Sequence, residues 1–215
     1  MSKFCIINSS PRKNFNTSKM CEAFAEGVKS ADENAQVKTF NLYDYDFKGC
    51  NSCLGCKLKN SKNYGKCIQK DDITDVIEEV SKSDGVVFAS PIYFMDITGE
   101  MKCFLERLLF PYLTYEKGFR SIAPKKLKTA TIYTMNVREE GFNAAHLDTI
   151  EWYISHVFSK PIRICAYNTS QVKDYSLYHM DVFNPDDKAS YKAKHWDNDL
   201  KQAYNAGKLM IEFHN

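Results

Sequence analysis

The chain has almost no excess of one charge: 29 basic against 27 acidic residues leave a net charge of +2. That balance argues against nucleic acid or an anionic membrane surface as a partner. No run approaches the ~20 apolar residues that span a bilayer. The opening Met-Ser-Lys-Phe-Cys-Ile-Ile lacks the charged region, long apolar stretch and small-residue cleavage site of a signal peptide, so the expected location is cytoplasmic. No internal repeat or low-complexity linker interrupts the sequence, and its 215 residues suit a single domain, 1–215. A domain of this size buries roughly 70% of its unfolded surface and needs no staples. In the reducing cytoplasm the eight cysteines read as thiols or metal ligands before they read as disulfides. Four of them lie between Cys50 and Cys67, within an insertion loop at 43–70.

What recurs is a short apolar run, a polar loop and a segment of helical period. Phe4-Cys5-Ile6-Ile7 reads as a buried strand, followed by a helix that Thr17 or Ser18 would cap, with Met20, Phe24 and Val28 on one face. Val37–Leu42 alternates as a second strand. Asp71 or Asp72 would cap a helix carrying Ile73, Val76, Ile77 and Val80 at i, i+3, i+4 and i+7. Gly85–Ala89 gives a third strand, and Met101, Phe104, Leu105 and Leu108 the next helix. Ala130–Tyr133 and Ile162–Ala166 are two more strands, flanking a helical stripe of Leu147, Ile150, Ile154 and Val157. Leu200, Ala203, Tyr204 and Ile211 mark a C-terminal helix. Five strands alternating with helices predict a parallel sheet covered on both faces, a three-layer α/β/α arrangement. Ligands of such sheets sit beyond the C-terminal strand ends, where strand order reverses.

The segment Asn8-Ser9-Ser10-Pro11-Arg12-Lys13-Asn14-Phe15-Asn16-Thr17-Ser18 joins the first strand to its helix. Two readings fit it. Ser, Thr and Asn at a helix start need no ligand, since they satisfy its free N–H groups themselves. The same N–H groups and the positive dipole end also bind a phosphate, with hydroxyls from Ser10, Thr17 and Ser18 and a guanidinium fork from Arg12.

Ser10-Pro11-Arg12 followed by Asn16-Thr17 resembles the phosphate loop of the NADPH-dependent FMN reductase and iron–sulfur flavoprotein family. The resemblance runs to about residue 110 through the four clustered cysteines, Lys70-Asp71-Asp72, Asp84-Gly85, Ser90-Pro91-Ile92-Tyr93-Phe94, and Lys102 with Arg107. It departs at Ser9, where the family usually has Gly, and at Phe15, where a small residue is usual. The resemblance implies a flavodoxin-like, doubly wound, five-stranded parallel sheet binding flavin mononucleotide (FMN), with NAD(P)H as electron donor. By the same resemblance, Ser10, Arg12, Asn16, Thr17 and Ser18 hold the phosphate end, and Ser90, Pro91, Ile92, Tyr93 and Phe94 lie along the flavin ring. Pro91 is expected to set a rigid turn there, and Gly99 to permit close approach at the next helix start. Tyr133 and Asn136, after the fourth of the five predicted parallel strands, occupy the place of the third flavin loop. No side chain is assigned as a catalytic residue, since hydride acceptance is the flavin's own chemistry.

Cys50-x2-Cys53-x2-Cys56-x10-Cys67 brings four thiols into one loop. Three readings fit: ligands of a 4Fe–4S cluster, redox-active or free thiols, and zinc ligands. The last gap exceeds the compact spacing of iron–sulfur flavoproteins. Cys5, Cys21, Cys103 and Cys165 read as small core residues. Phe110–Phe119, rich in aromatics, fits a lid, a subunit contact or self-packing, and Asn168–Asp187 fits a specificity loop. His146, His156, His179, His195 and His214 show no ligand spacing. The expected activity is electron transfer from NAD(P)H or a protein donor to a quinone, a flavin or another small acceptor. The expected assembly is a homodimer or homotetramer. An alternative is an iron–sulfur flavoprotein carrying electrons between redox proteins through a cluster on the Cys50–Cys67 loop.

Overall fold

The computed structural model describes residues 1–212, so His214 lies outside the described residues. The chain runs β1 (Lys3–Asn8), α1 (Asn16–Ala31), β2 (Gln36–Asn41), α2 (Thr74–Lys82), β3 (Gly85–Tyr93), β4 (Asp96–Ile97), α3 (Gly99–Leu109), β5 (Lys128–Thr134), α4 (Ala145–Val157), β6 (Ile162–Ala166) and α5 (Pro185–Glu212). Strands β2-β1-β3-β5-β6 form a parallel sheet in that order. The two-residue β4 is a small addition to the five expected strands; it folds back antiparallel on β3, pairing Ile97 with Ile92 and Asp96 with Tyr93.

Side-chain alternation makes the layers. Phe4 and Ile6 of β1 face a core with Met20, Phe24, Ala203 and Met210, which belong to α1 and α5. Cys5 and Ile7 face the opposite core, with Val76, Phe104, Leu108 and Ile154 from α2, α3 and α4. Both faces of the sheet are therefore covered, and the architecture is flavodoxin-like α/β.

Several local expectations are corrected. Thr17 and Ser18 lie inside the first turn of α1; the position before it is Phe15, and no side chain caps the helix. Neither Asp71 nor Asp72 caps α2, whose preceding residue is Ile73. Asp71 instead faces Arg107. Pro91 sets no turn: β3 continues through it to Tyr93, and the reversal falls at Phe94 and Met95, both left-handed with φ of 52° and 64°. Cys5 and Cys21 are buried as expected, whereas Cys103 and Cys165 are only half-buried. In the Phe110–Phe119 segment Tyr112 is buried and Tyr115 exposed. The C-terminal helix begins far earlier than its apolar stripe suggested, at Pro185.

That long α5 buries an acid. Asp199 lies in register with Ala203, Ala206 and Met210 on the covered face, and burial pushes its carboxyl up to about 6 from an ordinary 3.8. Between those pH values the folded chain holds a proton that the unfolded chain has lost, so stability falls as pH rises through the window. Asp199→Asn is expected to raise the melting temperature at pH 7.5 and leave it nearly unchanged at pH 4. Thermal unfolding at both pH values checks this, and an equal effect at both would refute the charge-burial explanation.

Candidate functional site

The strand order reverses between β1 and β3, because β2 lies on the far side of β1. The loops beyond β1, β3 and β5 meet at this edge, where parallel α/β sheets place their ligands.

The loop after β1 is braced from within. Asn8 donates from Nδ2 to Ser18 Oγ at 3.1 Å and to Asn41 Oδ1 at 3.0 Å, while its Oδ1 accepts from Ser10 N. Ser18 Oγ donates to the Arg12 carbonyl, and the Arg12 N–H donates to Ser10 Oγ. Thr17 Oγ1 lies 2.8 Å from Thr134 Oγ1, tying the helix start to the end of β5. Ser10, Thr17 and Ser18 are thus gathered at an uncapped helix N-terminus, whose first N–H groups have no intrahelical partner. Arg12 lies 4.2 Å over the Phe15 ring and donates to the Gln171 carbonyl; Asn16 donates to the Ser170 carbonyl at 2.8 Å. Phe15, unusual by resemblance, is the platform on which the guanidinium rests.

The other unusual residue, Ser9, is a junction. Its N–H and hydroxyl both donate to the Ala89 carbonyl, and Thr98 Oγ1 donates to Ser9 Oγ at 2.8 Å. The Thr98 N–H donates in turn to Ser90 Oγ at 3.1 Å. Loop one, β3 and the start of α3 are locked together, and Thr98 caps α3 by accepting from Met101 N. A Cβ at Gly99 would meet nothing within 4 Å, so the backbone there borders open space. Ile92 is half-buried on the β3–β4 arm, Tyr93 is 41% exposed, and Phe94 at the tip is fully exposed.

Beyond β5 the residues diverge. Tyr133 is buried against α4, where burial and the Glu151 charge push its hydroxyl well above the usual tyrosine range. It is core, apart from the open edge. The carbonyl and Oδ1 of Asn136 both accept from Lys188 Nζ, as does Asn168 Oδ1. Lys188 is buried among these neutral acceptors, and burial pushes its ammonium down to about 8. Asn168 is left-handed at φ 48°. The 168–184 segment is thereby pinned to the third loop as well as to Arg12 and Asn16. Lys188, Thr98 and Thr134 carry much of this framework without a sequence signal of their own, whereas Asn8, a polar residue ending an apolar strand, and Ser9, a departure from the family pattern, stood out.

The uncapped start of α1 leaves N–H groups free for an anion with several acceptor oxygens. Clefts of about 790 Å³ by Lys3 and Lys38 and about 910 Å³ by Cys67 and Tyr112 lie off this edge. The first is at the N-terminal ends of β1 and β2, lined by Lys3, Gln36 and the α2 residues Asp75, Glu78 and Glu79.

The cysteine loop forms a second cluster. Cys50, Cys53, Cys56 and Cys67 line one small cavity floored by Phe110 and Pro111. Cys56 is buried and Cys53 exposed. Lys57 donates to the carbonyls of Phe110, Pro111 and Leu113, and Glu106 accepts from Cys50 N at 3.0 Å. The Arg107 side chain, fully buried, pairs bidentately with Asp71 and holds its carboxyl below the usual carboxylate range. Among the described residues no three His, Cys, Asp or Glu side chains are grouped so as to close on a single metal ion. Four thiols round one cavity are a donor set that suits a larger, all-thiolate cluster.

The family model for NADPH-dependent FMN reductase matches residues 2–163. An iron–sulfur flavoprotein of Archaeoglobus fulgidus is 39% identical over 105 residues, 49% of this chain and 48% of that protein. An FMN-dependent NADH:quinone oxidoreductase of Desulfotalea psychrophila is 25% identical over 170 residues, 74% of this chain and 79% of that protein. The chain spans about half the length of the iron–sulfur flavoproteins it matches. A solved NAD(P)H:quinone oxidoreductase from Methanothermobacter marburgensis shares the fold at a TM-score of 0.67 and 15% identity, covering 100% of this chain and 99% of that one.

Proposed function

The chain belongs to the NADPH-dependent FMN reductase family, and on that premise we propose that it binds FMN at the edge formed by the β1, β3 and β5 loops. There it would pass electrons from NAD(P)H or a protein donor to a quinone, a flavin or another small acceptor. The observation that carries this reading is the uncapped start of α1 with Ser10, Thr17 and Ser18 gathered around it. The free backbone N–H groups at the α1 start would donate to the phosphate, within a loop that Ser10, Thr17 and Ser18 hold in shape, with Arg12 and Asn16 held at its rim by the 168–184 segment. Ser90, Pro91 and Ile92 would present backbone along the ring, and Tyr93 and Phe94 would flank it. Asn136, steadied by Lys188, would border the third side. FMN, when bound, supplies hydride acceptance and one-electron steps; the chain's residues orient it and set the charge around it. Tyr133 would support this edge from the core. Reconstitution with FMN tests the reading: stoichiometric, tight uptake is expected, and no uptake at saturating FMN overturns it.

A second reading is favoured by the four thiols that line one cavity with a saturated, buried arginine beside them. Cys50, Cys53, Cys56 and Cys67 would hold a 4Fe–4S cluster, making the protein an electron carrier between FMN and redox partners. Anaerobic iron and sulfide analysis decides it: both absent with full FMN loading removes the cluster. The proposal further takes residues 1–215 as one cytoplasmic domain that assembles as a homodimer or homotetramer.

A further inference from the structure

We propose that Arg107 is a positioning residue that raises the reduction potential of a cluster on the cysteine loop through an N–H···S bond to Cys67; this rests on the cluster reading above. Arg107 Nε donates to Cys67 Sγ at 3.1 Å. Its Nη1 donates to Asp71 Oδ2 at 2.7 Å and to the Lys48 carbonyl at 2.9 Å. Its Nη2 donates to Asp71 Oδ1 at 3.1 Å and to the Gln69 carbonyl at 3.4 Å. One buried side chain therefore grips both legs of the loop and one of its sulfurs.

Fold stability alone does not account for this choice. A buried ion pair is often matched or bettered by apolar side chains of similar volume. Arg107 rises from α3, whose neighbouring Leu108 and Leu109 are buried without any polar partner. What an apolar residue could not supply is a fixed positive charge and a donor aimed at sulfur. Both withdraw electron density from a thiolate ligand and favour the reduced, more negative state of whatever it ligates. Asp71, the counter-charge, works the other way. The pair thus sets a local charge balance beside Cys67, and its two members act with opposite sign.

That opposition separates tuning from mere bracing. Wild type, Arg107→Gln and Asp71→Asn are reconstituted anaerobically with iron, sulfide and FMN, assayed for both elements, and titrated redox-potentiometrically with spectroscopic detection of cluster and flavin. Arg107→Gln is expected to make one-electron reduction about tenfold less favourable, ~59 mV lower. Asp71→Asn is expected to move the cluster potential upward, with the flavin potential less affected in both. Potentials that both fall, or neither of which moves in iron-loaded variants, overturn the tuning. If Arg107→Gln cannot retain iron, Asp71→Asn decides alone: an upward shift supports the proposal, and any other result overturns it. Wild type that takes up no iron and sulfide overturns the cluster reading and the tuning together, whereas loaded wild type with unmoved variants overturns the tuning only.

Discussion

An Arg12→Glu variant is expected to bind FMN roughly ten- to a hundredfold more weakly than wild type, the loss of a charge-assisted hydrogen bond worth about 1.5–3 kcal/mol. Arg12 is exposed, so the exchange leaves the core intact. Its guanidinium rests on Phe15 and is held by the Gln171 carbonyl, close to the helix start where the phosphate would lie. Replacing a cation with an anion there opposes a phosphate and leaves the isoalloxazine contacts alone. Riboflavin, which has the ring without the phosphate, should therefore lose much less affinity than FMN. Fluorescence titrations with both ligands measure the difference. Equal weakening of the two would mean that the phosphate does not lie beside Arg12.

The largest stability effect is expected at the crossing of α1 and α5. A Cβ at Gly207 would lie 2.2 Å from the Phe24 carbonyl oxygen and 2.9 Å from the Val28 nitrogen. One at Gly27 would lie 1.9 Å from the Tyr204 carbonyl oxygen. The obstacles are backbone atoms of the facing helix, which cannot rotate aside as a side chain can. The two helices would have to separate, opening the core shared by Met20, Phe24, Ala203 and Met210. Overpacking of this kind costs about 3 kcal/mol or more. In an open helix Gly→Ala would instead stabilise by about 1 kcal/mol. The sign is thus diagnostic: Gly207→Ala and Gly27→Ala should each lower the urea midpoint sharply, and unchanged or raised midpoints would refute the close helix contact.

The sheet was legible because its central strands are buried on both faces. Phe4–Ile7, Gly85–Ala89 and Ala130–Tyr133 read as apolar runs, and the structure pairs them in parallel. Pro91 misled because proline usually ends a strand. Past Ala89 the β1 pairing stops, and β3 keeps only β5 as a parallel neighbour, an edge-like position that tolerates a missing N–H. The α1 start was misread for a different reason: Ser18 and Thr17 spend their hydroxyls on the Arg12 carbonyl and on Thr134, contacts fixed only once the loop folds back and β5 arrives. Arg107 stood in a recognisable motif, but its part depends on Lys48, Cys67, Gln69 and Asp71 converging from a loop with little regular structure. Lys188 had no visible partner in the sequence, since Asn136 and Asn168 reach it from two different strand ends.

Anaerobic titration of the FMN-reconstituted protein with NADH and NADPH, followed by its absorption spectrum, tests the central claim most directly. The expected result is a bound flavin spectrum that bleaches on stoichiometric addition of at least one of the two nucleotides. A flavin that stays bound and oxidised in the presence of both would contradict an NAD(P)H-driven oxidoreductase at the β1–β3–β5 edge.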